Sequence, residues 1–187
     1  MTASSLPFPK TFNPLQGARL RRGTKLVLVG APASGKSKLA KRLGGLIGLS
    51  VVDTDKIVTR DHGPIPEIFE NVGEAGFRSL ERSAVVEALA SEGIVSLGGG
   101  AVIDPDTRAD LRGIPVALIT ISQAAVASRL TPGKRPLLPE GVDSWAALVA
   151  EREPWYQEVS DRSFDTSSTP LDTVARDIAQ WLKEVSP

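Results

Sequence analysis

From Gly30 to Ser37 the chain reads GAPASGKS, preceded by the apolar run KLVLV (25–29) and followed by KSKLAKRLGGLIG (36–48). No other stretch restricts the fold so narrowly. A short strand, a glycine-rich turn and a helix in that order fit G-x-x-x-x-G-K-[ST], a loop whose successive N–H groups converge on phosphate oxygens. Glycine lets the backbone wrap tightly, and the helix start adds its positive dipole end. The pattern places the Lys36 ammonium between terminal phosphates and the Ser37 hydroxyl on Mg²⁺. It predicts binding of a nucleoside triphosphate.

The rest of the chain continues the alternation of strand and helix. Leu39, Leu43, Leu46 and Ile47 recur at helical spacing, and LSVV (49–52) reads as a second buried strand. GFRSLERSAVVEALASEG (76–93) sets Phe77, Leu80, Ala84, Val85, Ala88 and Leu89 on one helical face. IVSL (94–97), stopped by Gly98-Gly99-Gly100, and IPVALITI (114–121) are the third and fourth strands. Thr169 and Pro170 read as N-cap and first residue of a last helix, with a stripe of Leu171, Val174, Ala175, Ile178, Trp181 and Leu182. Such alternation predicts an α/β fold, three layers α/β/α around a central parallel sheet. In open sheets of this class ligands bind beyond the carboxyl ends of the strands. The loop after Gly30, the acidic pair Asp53/Asp55 and the triple glycine should therefore meet on one edge.

The acidic pair, in SVVDTDKIV (50–58), raises its own question. Residues 1–52 hold 9 Lys and Arg and no acid, whereas the remainder holds 13 against 22 Asp and Glu, a net of −9. Two carboxylates so close repel, so both ionised at once need a metal, a donor or water to compensate. A cation or hydroxyls are expected there, with a solvated turn pair as the alternative. If the segment stays extended the two share a face, one turning to Mg²⁺ and the other to a diol. The zero net charge of the whole chain gives no reason to expect nucleic acid as a partner. With no cysteine, thiolate catalysis and Cys-based zinc sites are excluded, and the single histidine, His62, is expected in a loop. No apolar run approaches the roughly 18–20 residues of a membrane helix. Residues 1–22 read as a flexible tail and 23–187 as one domain, cytoplasmic and monomeric.

GAPASGKS, DTD (53–55), EIFENVGEAGFRSLE (67–81), SLGGGAV (96–102), KRPLL (134–138) and EREPWYQEV (151–159) stand in this chain in that order. The set resembles the shikimate kinases over residues 25–185, with GE-x-x-FR-x-x-E, GGG and RPLL as its most specific parts. The resemblance implies a nucleoside monophosphate kinase-like fold, ATP and Mg²⁺ as cofactors, and the 3-hydroxyl of shikimate as phosphoryl acceptor. It also implies a mobile lid around 131–141 and a substrate-binding segment from about 55 to 84.

Position by position, the resemblance assigns the nucleotide to Gly30, Ala33, Ser34, Gly35, Lys36, Ser37 and Lys38, with Arg135 reaching from the lid toward the transferring phosphoryl. Ser37 and Asp53 take the metal side. Asp55 meets the acceptor hydroxyls, as an orienter first and a base second. Arg78 and Arg152 hold the acceptor carboxylate, while Gly98, Gly99 and Gly100 line its pocket. Lys36, Asp55 and Arg135 carry the chemistry. The stretch between Arg129 and Arg135 is about one or two residues shorter than common for such a lid, and DTSSTP (165–170) is poor in arginine. No contact to adenine is assigned from the sequence. Two other readings stay open: a kinase of gluconate or of a nucleoside monophosphate, and a nucleotide-binding module without catalysis.

Overall fold

The computed structural model describes residues 23–130 and 141–185. The expected tail (1–22) and most of the expected lid, with Arg135, lie outside the described residues.

Five strands form one parallel sheet in the order β2-β3-β1-β4-β5, namely β1 (Thr24–Val29), β2 (Val51–Asp53), β3 (Gly93–Ser96), β4 (Val116–Thr120) and β5 (Arg162–Asp165). Side chains alternate across each strand, so the central ones bury both faces. From β1, Val27 and Val29 enter one cluster with Val95, Leu97, Val116 and Leu118. Leu26 and Leu28 enter the opposite cluster with Ile94, Ala117 and Ile119. Helices α2 (Thr54–His62), α3 (Ile65–Ala90) and α6 (Val142–Val159) cover the first face, and α1 (Lys36–Ile47) and α7 (Leu171–Val185) cover the second. The short α4 (Pro105–Asp110) and α5 (Gln123–Ala127) stand before and after β4. The three-layer α/β/α architecture is the predicted one.

Several local expectations need correction. Leu46 is 54% exposed, outside the core. The buried face of α1 runs through Lys36, Leu39, Ala40, Leu43 and Gly44, and Gly44 lies against Val51 and Leu49. The segment after Asp53 does not stay extended: Asp53 ends β2 with φ −122° and ψ 119°, and α2 begins at Thr54. The two carboxylates are thus separated by a change of direction, not by a strand step on one face. His62 closes α2 instead of occupying a loop. The helix expected from 76 starts at Ile65 and is bent where Gly73 adopts φ 68° and ψ −176°. At the last helix Pro170 stands one place earlier than expected, its carbonyl accepting from Thr173 and Val174 as a cap residue's does.

One position in the first turn admits glycine alone. Gly30 has φ 137°, and a Cβ there would collide with the Ile119 carbonyl oxygen of β4. Gly30→Ala combines a disfavoured φ with a clash against fixed backbone. We expect a loss of about 3 kcal/mol in unfolding free energy, read as a lower urea midpoint at unchanged slope.

Candidate active site

All five strands run the same way, so the loops after β1, β2 and β3 emerge on one edge. There a cleft of ≈ 590 Å³ is lined by Pro32, Ala33, Gly35, Lys36, Ser37 and Lys38 from the first loop, Asp55 from α2, Leu97 and Gly99 from the glycine turn, and Ser128, Arg129 and Leu171. Nucleotide loop, Asp55 and Gly99 of the triple glycine share a single cavity.

The first loop is held in a phosphate-ready form. Ala33 takes a left-handed φ of 64° and Gly35 one of 90°, directly before the α1 N-terminus. The Lys36 ammonium is buried and donates to the carbonyls of Gly30 (2.6 Å) and Ala31 (2.9 Å) and to Ser34 Oγ (3.5 Å). Ser37 and Lys38 are exposed beside it. Thr166, buried in the loop after β5, donates from Oγ1 to the Ser34 carbonyl at 2.8 Å. Arg129 donates to Thr166 Oγ1 at 3.2 Å and to its carbonyl at 2.5 Å. The stretch that gave no adenine contact from sequence thus brings Arg129 to the rim of the cleft.

The acceptor side centres on the glycine turn. The Gly98 N–H donates to Thr54 Oγ1 at 2.8 Å, which ties the turn to the start of α2. A Cβ at Gly98 would lie 2.6 Å from Asp55 Oδ1 and 2.7 Å from Glu81 Oε1, and one at Gly100 would collide with the Arg78 guanidinium. Asp55, Glu81 and Arg78 therefore converge on Gly98–Gly100. Arg78 donates to Glu81 at 2.6 Å and to Glu74 at 2.9 Å. Arg152, 4% exposed, donates to the Gly99 carbonyl at 3.2 Å.

Charge in this cluster is finely opposed. Burial pushes the Glu81 carboxyl up, and Asp55 pushes the same way, while Arg78 and Arg152 pull it down. Burial draws the Arg152 guanidinium below its ordinary range, and Arg78 adds to this. The Nε atoms of Arg78 and Arg152 are both buried without a hydrogen-bond partner. The buried Arg152 and the half-buried Arg78, each with one unsatisfied donor, fit an anionic group, since a carboxylate matches the planar fork.

A model of the shikimate kinase family matches residues 32–183. A shikimate kinase from Mycobacterium tuberculosis is 41% identical over 169 residues, covering 87% of this chain and 96% of the relative. One from Mycobacterium avium is 40% identical over 164 residues, covering 84% and 93%. The chain belongs to the shikimate kinase family. The fold agrees: a shikimate kinase from Acinetobacter baumannii, solved in complex with shikimate, superposes with a TM-score of 0.81 at 26% identity, covering 88% of this chain and 96% of that one.

Of the predicted site residues that it describes, the structure sets Ala33, Gly35, Lys36, Ser37, Lys38, Asp55 and Gly99 in the cleft. Gly30, Ser34, Gly98 and Gly100 belong to the same turns without lining it. Arg152 reaches it only through the Gly99 carbonyl, and Arg78 lies against Gly100 and lines a neighbouring pocket with Glu81. Asp53 is not among the lining residues either. Asp53 is buried at the end of β2, level with Ser96 of β3, and its Oδ2 has no hydrogen-bond partner. A buried carboxylate oxygen left unpaired is costly unless something satisfies it. Among the described residues no group of three His, Cys, Asp or Glu could hold a metal. Mg²⁺ needs no such group: it keeps several waters and binds through one or two protein oxygens plus substrate phosphates. Asp53 and the Ser37 hydroxyl fit that demand.

Three residues went unread in the sequence. Glu81 was legible only as an i+3 partner of Arg78 on a helix surface, yet it is buried. Trp145 donates from Nε1 to the Pro32 carbonyl at 2.8 Å, and Tyr156 donates to Gly99. Both lie on α6, where no helix was named from the sequence.

Proposed function

We propose that the protein phosphorylates the 3-hydroxyl of shikimate with ATP, giving shikimate 3-phosphate and ADP for aromatic amino-acid biosynthesis. One observation carries this reading: the triphosphate loop and Asp55 open into a single cleft whose glycine turn touches the buried Arg152 and the half-buried Arg78, each with an Nε that lacks a partner.

The triphosphate lies along residues 30–38, with N–H groups of the loop and the α1 start facing its oxygens. Lys36 exchanges its carbonyl partners at Gly30 and Ala31 for the terminal phosphates. Ser37 and Asp53 would hold Mg²⁺, which would neutralise phosphate charge there. Arg78 and Arg152 grip the acceptor carboxylate at the far side of the ring. Gly98, lacking a Cβ, lets the ring approach Asp55, which orients the 3-hydroxyl. The hydroxyl oxygen then forms a bond to the γ-phosphorus, the bond from that phosphorus to the β–γ bridging oxygen breaks, and the hydroxyl proton passes to Asp55. The loose transition state of phosphoryl transfer makes positioning and charge stabilisation the main tasks. Arg135, on the family pattern, adds positive charge at the transferring group. We place these tasks in one kinase domain (23–187) with an acceptor segment of about 55–84 and a lid of about 131–141, working as a cytoplasmic monomer free of nucleic acid and membrane. No helix of the described residues is long and apolar enough to cross a membrane; light scattering checks the monomer.

The test is an acceptor panel with ATP and Mg²⁺. ADP release is expected with shikimate and at least about a hundredfold less, in kcat/KM, with gluconate or nucleoside monophosphates. An open-chain acid or a bulkier nucleotide does not present a ring hydroxyl to Asp55 while its anion meets Arg78 and Arg152. Equal turnover of gluconate, or none with shikimate, rejects the reading. Gly98→Ala adds a methyl against Asp55 and Glu81. It is expected to raise KM for shikimate about tenfold while KM for ATP stays within about twofold.

A further inference from the structure

Helix α6 touches the glycine turn through two donors one helical turn apart. Arg152 and Tyr156, at i and i+4 and so on one face, both donate to the Gly99 carbonyl, at 3.2 Å and 2.5 Å. Tyr156 is 1% exposed and sits in the larger apolar cluster with Val116 and Leu118, so its ring has little freedom. Burial raises the phenol to about 12, which keeps it a donor throughout the working range. On the other side of the turn, the Gly99 Cβ position lies 2.9 Å from Pro32 of the nucleotide loop. Any shift of this peptide therefore moves the contact between the two halves of the cleft.

A carbonyl held by two donors fixes more than itself. The peptide is planar and trans, so the direction of the Gly99 C=O also sets that of the Gly100 N–H. Gly100 is the residue against which Arg78 lies, and Gly98 is the one that faces Asp55 and Glu81. We infer that Tyr156 is a positioning residue for the acceptor: its O–H, beside Arg152, holds the Gly99–Gly100 peptide and so sets the spacing of Arg152 and Arg78 around the acceptor carboxylate. The inference rests on the function proposed above for the same site. Tyr156 touches neither substrate nor nucleotide; it acts through the turn.

Tyr156→Phe keeps the ring and removes the donor. KM for shikimate should rise about fivefold, with kcat and KM for ATP within about twofold, because the carboxylate end of the acceptor is remote from the reacting hydroxyl. Trp155→Phe, on the same helix turn, should leave KM for shikimate within about twofold. Amide hydrogen exchange of the protein without ligands gives a second readout: Gly98–Ala101 should exchange faster in Tyr156→Phe, with β1 and α7 unchanged. A shikimate KM within twofold of the parent, an equal rise in KM for ATP, or faster exchange throughout the sheet overturns the inference. If the parent itself fails to turn over shikimate, the functional reading falls, and the exchange comparison still decides the role of Tyr156: unchanged exchange at the turn overturns it.

Discussion

Lys36→Met should lower kcat about a thousandfold, close to 4 kcal/mol of transition-state stabilisation, with a much smaller change in shikimate affinity. The reason lies in where the ammonium sits. Lys36 is buried at the start of α1, and its Nζ is already clamped to the carbonyls of Gly30 and Ala31. On nucleotide binding the ammonium exchanges these carbonyls for the phosphates, and in a buried setting its charge there acts with little water to screen it. Methionine keeps the length and much of the packing but supplies neither charge nor donor. Steady-state kinetics at saturating ATP measure the effect; a loss below about tenfold would place the critical charge elsewhere in the cleft.

Arg152→Met should separate activity from stability. Arg152 is buried, its Nε lacks a partner, and burial together with Arg78 disfavours its charge. Without an anion in the site, such a guanidinium costs the fold free energy, and a well-packed thioether removes that cost. The melting temperature should therefore hold or rise. Catalytic efficiency toward shikimate should fall about a hundredfold, in line with the loss of one partner of a desolvated charge pair. KM for ATP should stay within about twofold. A drop in melting temperature with unchanged shikimate kinetics would make Arg152 a structural residue only. The Gly99 carbonyl would keep its bond from Tyr156 in the variant, so the turn is not left unsupported.

The nucleotide half of the site was legible because it is local. GAPASGKS fixes a strand, a turn and a helix within a few residues, and the structure places β1 and α1 on either side of it. The glycine triplet was legible because three consecutive glycines stop a strand, while its cause is tertiary: Asp55, Glu81 and Arg78 leave no room for side chains at Gly98 and Gly100. The acidic pair was read in the right place with the wrong geometry. A three-residue β2 yields to α2 at Thr54, and alternation cannot signal so short a strand or so abrupt a turn. Leu46 was misassigned because the packing of Gly44 against Val51, a tertiary contact, decides which face of α1 is buried. Glu81, Tyr156, Trp145 and Thr166 depend on partners 37 to 132 residues away or on burial. Spacing along the chain carries no trace of such contacts.

The most direct measurement is the position of phosphate on the product. After incubation of the full-length protein with ATP, Mg²⁺ and shikimate, phosphorus NMR should show a single new monoester coupled to the ring proton at carbon 3, formed in step with ADP. A phosphate on another hydroxyl, or ADP released at the same rate with shikimate left out, would contradict the arrangement of Lys36, Asp55, Arg78 and Arg152 around one acceptor.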